Sequence, residues 1–185
     1  NTSTVRVALR AGINNVVNTL LRAGLGQDIP AFPSVALGAF ETTLKDLTSA
    51  YTAFSNGGQR LHPTIITEVR NASGRIVFKS TEARLRFLTP EATRTTDAIL
   101  ADVVTRGTAG SARRLGLTRR AAGKTGTTDE SRDAWFIGYV RSLTCGVWVG
   151  LDQPKSIMPG GYGSTLALPI WVDFMESAPP ARYPD

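Results

Sequence analysis

The chain has 185 residues, 42% of them hydrophobic and 19% charged, with a net charge of +6; that suffices for one domain with its own core and excludes a low-complexity or repeat protein. No apolar run approaches the ~20 residues of a membrane span, and Asn1-Thr2-Ser3-Thr4-Val5-Arg6 is no signal peptide, so any leader or anchor is expected outside these residues. The basic residues are scattered, in pairs such as Arg113-Arg114 and Arg119-Arg120, and no nucleic-acid-binding motif accompanies them, which reads as a solvated basic surface.

Residues 2–11 and 13–22 read as two short helices parted by Gly12, the second with Ile13, Val16, Val17, Leu20 and Leu21 on one face. Gly24 and Gly26 stop it, and Pro30 and Pro33 mark a loop. Residues 43–55 form an amphipathic helix with a core stripe of Leu44, Leu47, Tyr51 and Phe54; Thr42 or Thr43 caps its start and Gly57 follows its end. Residues 64–79 read as a hairpin, Thr64–Arg70 and Arg75–Lys79 joined by Asn71-Ala72-Ser73-Gly74. A further helix starts with Thr89 as cap, Pro90 first and Glu91 in the first turn. It buries Ile99, Leu100, Val103 and Val104 and ends at Gly107.

Beyond Arg120 the pattern changes. Residues 120–127 precede a polar loop, Thr128 to Asp133; Ala134–Val140 and Leu143–Leu151 then read as antiparallel neighbours turned by Arg141-Ser142. Gly160-Gly161-Tyr162-Gly163 leads to a last helix with Ile170, Trp171, Val172, Phe174 and Met175 on its core face. The class is α+β, an antiparallel sheet with helices packed on it. Trp135, Trp148 and Trp171 are assigned to the core.

Cys145, the only cysteine, reads as a buried structural thiol, and no metal-ligand spacing exists around it. His62, the only histidine, stands in a loop before Pro63 and has no partners for a catalytic triad. The most informative stretch is Ala122-Gly123-Lys124-Thr125-Gly126-Thr127-Thr128. It is no phosphate-binding loop, because Thr118 stands where the first glycine belongs and no apolar helix follows. A strand-borne lysine beside hydroxyls makes a cationic, hydrogen-bonding edge suited to a carboxylate, with a glycine permitting close approach. The triplet by itself also fits an ordinary surface strand.

The wider sequence resembles the bifunctional class A penicillin-binding proteins. The resemblance rests on residues 122–128, Asp133-Ala134-Trp135-Phe136, Gly138-Tyr139 and Val147-Trp148-Val149-Gly150. Ala36-Leu37-Gly38, Ala50 to Gly58, Gly107-Thr108-Ala109 and Pro169-Ile170-Trp171 follow in the same order and spacing, up to about residue 176. It implies the penicillin-binding protein and serine β-lactamase-like transpeptidase fold, incomplete on its N-terminal side. Residues 1–185 are then the C-terminal portion of the domain. Asn1 resembles the third residue of the family's S-x-N motif, whose serine would lie upstream. No serine here is followed three positions later by lysine, so the S-x-x-K nucleophile would also lie outside this chain.

In the family scheme a serine attacks the penultimate carbonyl of a D-Ala-D-Ala stem peptide, and a neighbouring amine then takes the acyl group; β-lactams trap that serine. The resemblance assigns Lys124 the cleft cation, Asn1 a contact to the donor amide and Thr127 an oxyanion amide. Thr125, Gly126, Thr127 and Thr128 form the substrate-binding strand. It implies no metal or organic cofactor. The implied partners are stem peptides, β-lactams and the upstream half of the domain, at the outer face of the bacterial cytoplasmic membrane. The anchor would belong to the parent protein. An inactive fragment and a β-lactam-sensing or β-lactamase-like relative are the alternatives, the second disfavoured by the blocks at Ala36 and Pro169. The same fold implies that Ala134–Val140 pairs on both sides, whereas Leu143–Leu151 keeps one open edge.

Overall fold

A computed structural model describes residues 1–153 and 155–184. Helices α1 (Thr2–Ala11) and α2 (Ile13–Arg22) turn at Gly12, whose φ of 85° lies in the left-handed region that glycine adopts without strain. Val17 of α2 closes a small core with Ile29 and Val35, the latter in a 3-10 turn at Pro33–Leu37.

Helix α3 (Leu44–Ser55) starts as the sequence implies, with the Thr43 hydroxyl accepting from the Asp46 amide at 3.1 Å. Its core face differs from expectation. Leu44, Leu47, Tyr51 and Phe54 are only half-buried, and the deepest positions are Ser49, Ala50 and Ala53. Small residues let the helix approach closely, and the Ser49 hydroxyl is satisfied by the Leu61 carbonyl at 2.6 Å.

Four short strands follow: β1 (Gln59–Leu61), β2 (Glu68–Arg70), β3 (Ile76–Lys79) and β4 (Arg84–Arg86). Strands β2 and β3 form the expected hairpin, but its first strand begins at Glu68, not Thr64. Pro63 lacks an amide, and Ile65 is 99% exposed with no strand to pair. The β1–β4 pair was not legible in the sequence; it encloses the hairpin and holds Arg86 opposite Gln59.

Helix α4 (Pro90–Arg106) is capped by Thr89, which accepts from the Ala92 amide. It buries Thr93, Leu100 and Val104. Ile99, assigned to this stripe, is instead 60% exposed: it lies about 100° around the helix from Leu100.

The main sheet has three antiparallel strands in the order β5 (Ala122–Thr127), β6 (Asp133–Val140), β7 (Leu143–Gly150). Strand β6 is paired on both sides, while β7 keeps one edge without a strand partner among the described residues, as expected. On one face Phe136 and Val140 pack against Leu168, Trp171, Val172 and Met175 of α5 (Leu168–Ser177) and Val104 of α4. On the other, Tyr139 and Ala122 meet Leu100, with Tyr51 and Phe54 of α3 alongside. The sheet is therefore a middle layer between helices.

Trp171 anchors the first face. It is fully buried, lies edge-on to Phe136 at 4.9 Å, and donates its indole N–H to the Gly138 and Cys145 carbonyls at 3.3 and 3.1 Å. A Cβ on Gly138 would stand 2.8 Å from the indole, so glycine here makes room for the ring. Truncating such a residue to alanine costs about 3–5 kcal/mol. Ile170 and Phe174, also assigned to the core, are 51% and 47% exposed; they form the neighbouring i, i+4 stripe, turned away from the sheet. Cys145 is half-buried rather than buried. Trp148 is 39% exposed and rests beside half-buried Trp135, ring centroids 6.1 Å apart.

Candidate functional site

Strand β5 is an edge strand of the sheet. The register pairs Thr127 with Ala134, and the next amide, Thr128 N–H, donates to the Asp133 carbonyl at 3.2 Å. Backbone groups alternate in direction along a strand. The amides and carbonyls of Gly126 and Lys124 therefore point to β6, and those of Thr125 and Thr127 point to the free edge. Lys124 Nζ donates to the Thr125 carbonyl at 2.7 Å, which places the ammonium along that same edge. Two of its three donor hydrogens remain for a ligand. No carboxylate pairs with it among the described residues. Neighbouring atoms remove part of its hydration, and this desolvation holds its pKa below the ordinary lysine value.

Two hydrogen bonds from other elements fix the hydroxyls of β5. Thr125 Oγ1 lies 2.7 Å from Thr108 Oγ1, in the turn that follows α4. That turn is held by the Gly107 and Ala109 amides, which both donate to the Val103 carbonyl at 3.1 Å. Thr127 Oγ1 accepts from the Gly163 amide at 3.0 Å, leaving the Thr127 O–H free to donate outward. Gly163 opens a π-helical turn, Gly163–Ala167, that carries the chain into α5. Its backbone lies against the β5–β6 ladder, where an added Cβ would meet the Trp135 and Gly126 carbonyl oxygens at 2.3 and 2.6 Å.

Gly126 is thus approached by Gly163 on one face. On the other, its own Cβ would meet Trp135 Cβ at 3.1 Å, so its lack of a side chain serves this chain's packing. Thr128 closes the loop: its Oγ1 accepts from the Asp133 amide at 2.8 Å and lies 3.1 Å from Asp133 Oδ2. Asp133 also accepts from the Trp148 indole at 2.8 Å. In this loop Glu130 and Ser131 hold φ of 59° and 52°, a left-handed conformation that non-glycine residues adopt at a cost.

The structure therefore brings together Lys124, Thr125, Gly126 and Thr127, with Thr128 at the end of the strand. Asn1 sits apart as the residue before α1; its carbonyl accepts from Val5, and its side chain makes no hydrogen bond to β5 among the described residues. The roles of Thr108 and Gly163 were not read from the sequence, although both lie in blocks it singled out. His62 is exposed. No group of acidic, histidine or cysteine side chains able to hold a metal occurs among the described residues.

The sequence profile of the penicillin binding protein transpeptidase domain matches residues 1–176. The chain belongs to the penicillin-binding protein transpeptidase family. Penicillin-binding protein 1A of Neisseria gonorrhoeae is 36% identical over 184 residues, covering 96% of this chain and 23% of that protein. The chain thus spans about a quarter of the length of the curated relatives it matches. Among solved structures, penicillin-binding protein 1A from Haemophilus influenzae aligns with a TM-score of 0.87 at 23% identity, over 96% of this chain and 32% of that one. That likeness shows the α+β fold. PonA1 from Mycobacterium tuberculosis in complex with penicillin V aligns with a TM-score of 0.79 at 26% identity, over 94% of this chain and 52% of that one. No helix among the described residues is long and apolar enough to cross a membrane.

Proposed function

We propose that residues 1–185 form the Lys124-Thr125-Gly126 side of the acyl-transfer cleft of a peptidoglycan D,D-transpeptidase. The serine nucleophile and its S-x-x-K lysine come from sequence outside these residues, since no S-x-x-K occurs within them. The observation that carries this reading is the free edge of β5, along which the Lys124 ammonium, the Thr125 carbonyl and the outward Thr127 amide follow one another.

In this mechanism the serine Oγ attacks the penultimate carbonyl of a D-Ala-D-Ala end. The C–N bond breaks, D-alanine leaves with a proton on its amine, and an acyl-serine remains. An acceptor amine from a neighbouring stem then attacks that ester and restores the serine. The outward Thr127 N–H supplies one donor to the developing oxyanion. The Thr125 and Thr127 hydroxyls, held by Thr108 and Gly163, donate to the terminal carboxylate. Lys124, exposed on this edge in residues 1–185, supplies positive charge whose effect strengthens as a bound donor displaces water from around it. Gly126 leaves room for Trp135 and Gly163 to pack on the strand, Thr128 holds the loop, and Asn1 reaches the donor amide once the upstream half is in place. A β-lactam enters as the donor and stays as the acyl-serine. The parent protein works at the outer face of the cytoplasmic membrane, anchored by a segment beyond these residues. The chemistry uses no metal or cofactor.

The test is labelling with a fluorescent penicillin. The parent protein takes a denaturation-resistant label, and isolated residues 1–185 take none. A label on a serine within residues 1–185 would overturn the assignment of the nucleophile, and an unlabelled parent protein would overturn the function.

A further inference from the structure

Away from the β5 edge just described, a groove of about 540 Å3 opens between the first turns of α4, the start of β5 and the turn joining β6 to β7. Its volume suits a small ligand or a short peptide. Arg94, Arg120 and Arg141 line it, against the single carboxylate of Asp97. Phe54 and Ala101 give it an apolar portion.

Arg70, Arg84, Arg106 and Arg132 each pair with a nearby carboxylate. Arg94, Arg120 and Arg141 make no hydrogen bond or ion pair among the described residues. Other arginines without a side-chain partner among the described residues, such as Arg6, Arg10, Arg75 and Arg114, lie outside this groove; what distinguishes these three is that they converge on one cavity. Arg94 has Glu91 and Asp97 each three residues away on the same helix, at a spacing that permits pairing, yet it pairs with neither. Asp97 is engaged elsewhere, accepting from the Tyr139 hydroxyl at 2.8 Å. Burial first, and this bond second, push the Tyr139 phenol well above its ordinary pKa, while nearby Arg120 opposes the rise. The phenol holds Asp97 in place by this bond but does not remove its charge, so Asp97 offsets one of the three guanidiniums and the groove keeps an excess of positive charge. Guanidinium is weakly hydrated and matches carboxylates in paired hydrogen bonds. A nucleic acid would need a longer run of cations than this groove offers.

We propose that this groove binds a short acidic peptide segment of a partner protein, its carboxylates on Arg94, Arg120 and Arg141 and an apolar side chain against Phe54. The site is separate from the acyl-transfer cleft and does not depend on the function assigned to it.

The experiment is a fluorescence-anisotropy titration of the parent protein into a fluorescein-labelled Asp-Glu-Leu-Asp-Glu peptide, with Asn-Gln-Leu-Asn-Gln as the neutral control. The expected result is saturable binding of the acidic peptide alone. Arg94→Ala and Arg120→Ala should each weaken it about five-fold or more, and Arg114→Ala, which removes the same charge outside the groove, should not. Thermal melts of these surface variants should match the parent protein. Binding that fails to saturate, or equal weakening by Arg114→Ala, would overturn the proposal in favour of diffuse net charge. Complete displacement by millimolar inorganic phosphate would reduce it to a simple anion site. Binding to phosphatidylglycerol vesicles without binding to the peptide would assign the arginines to a lipid surface instead.

Discussion

Replacing Gly163 by alanine tests the link between the glycine-rich loop and β5. The added Cβ would lie 2.3 Å from the Trp135 carbonyl oxygen and 2.6 Å from that of Gly126. Both are backbone atoms of the β5–β6 ladder and cannot swing aside as a side chain could. The loop must lift instead, breaking the 3.0 Å bond from Gly163 N–H to Thr127 Oγ1. Overpacking costs about 1–3 kcal/mol, and the lost hydrogen bond about 1 kcal/mol. Alanine recovers about 0.4–1 kcal/mol by restricting the unfolded chain. The net is a loss of about 2 kcal/mol. For a chain of this size that lowers Tm by about 4–8 °C, measured by circular dichroism on residues 1–185. Thr127→Ala, which removes only the acceptor, should lose about 1 kcal/mol. A Gly163→Ala variant that melts at or above the parent temperature would refute the close packing of this loop on the strand.

Burial pushes the Cys145 thiol up to about 11 from its ordinary 9.0. Between those values the unfolded chain gives up the proton more readily than the folded one, so stability falls as pH rises through this window. Urea denaturation at pH 8 and pH 10.5 should show a larger loss for the parent chain than for Cys145→Ala. Thr108→Val removes the partner of the Thr125 hydroxyl while keeping its shape. In the parent protein it should slow penicillin acylation several-fold, and Thr108→Ser should restore the rate. Equal impairment by serine would point to packing alone.

The sequence carried the framework because helix caps and strand alternation are local signals. Thr43 and Thr89 cap their helices as their positions imply, and both helices at Gly12 have the expected bounds. What was missed depends on which of two adjacent apolar stripes faces the sheet. Ile99, Ile170 and Phe174 all sit one position from a buried residue, and only the packing decides between them. The β1–β4 pair joins segments separated by the hairpin, with no alternation to announce it. At the site, the Lys124–Thr128 run was legible as a motif. The Thr108 and Gly163 contacts were not, because they join β5 to segments 17 and 36 residues away. Gly126 also lets Trp135 and Gly163 pack closely on the strand, a demand of tertiary packing that no local signal announces.

Lys124 is the proposed cation of the acyl-transfer cleft. The direct measurement is stopped-flow acylation of the parent protein by penicillin, comparing Lys124→Ala with His62→Ala. Loss of a well-placed electrostatic group costs about 2.7–4 kcal/mol of transition-state stabilisation, so Lys124→Ala should acylate about 10²–10³-fold more slowly, while exposed His62 can be replaced with almost no change. A Lys124→Ala protein that acylates at nearly the parent rate would remove Lys124 from the mechanism and contradict the account.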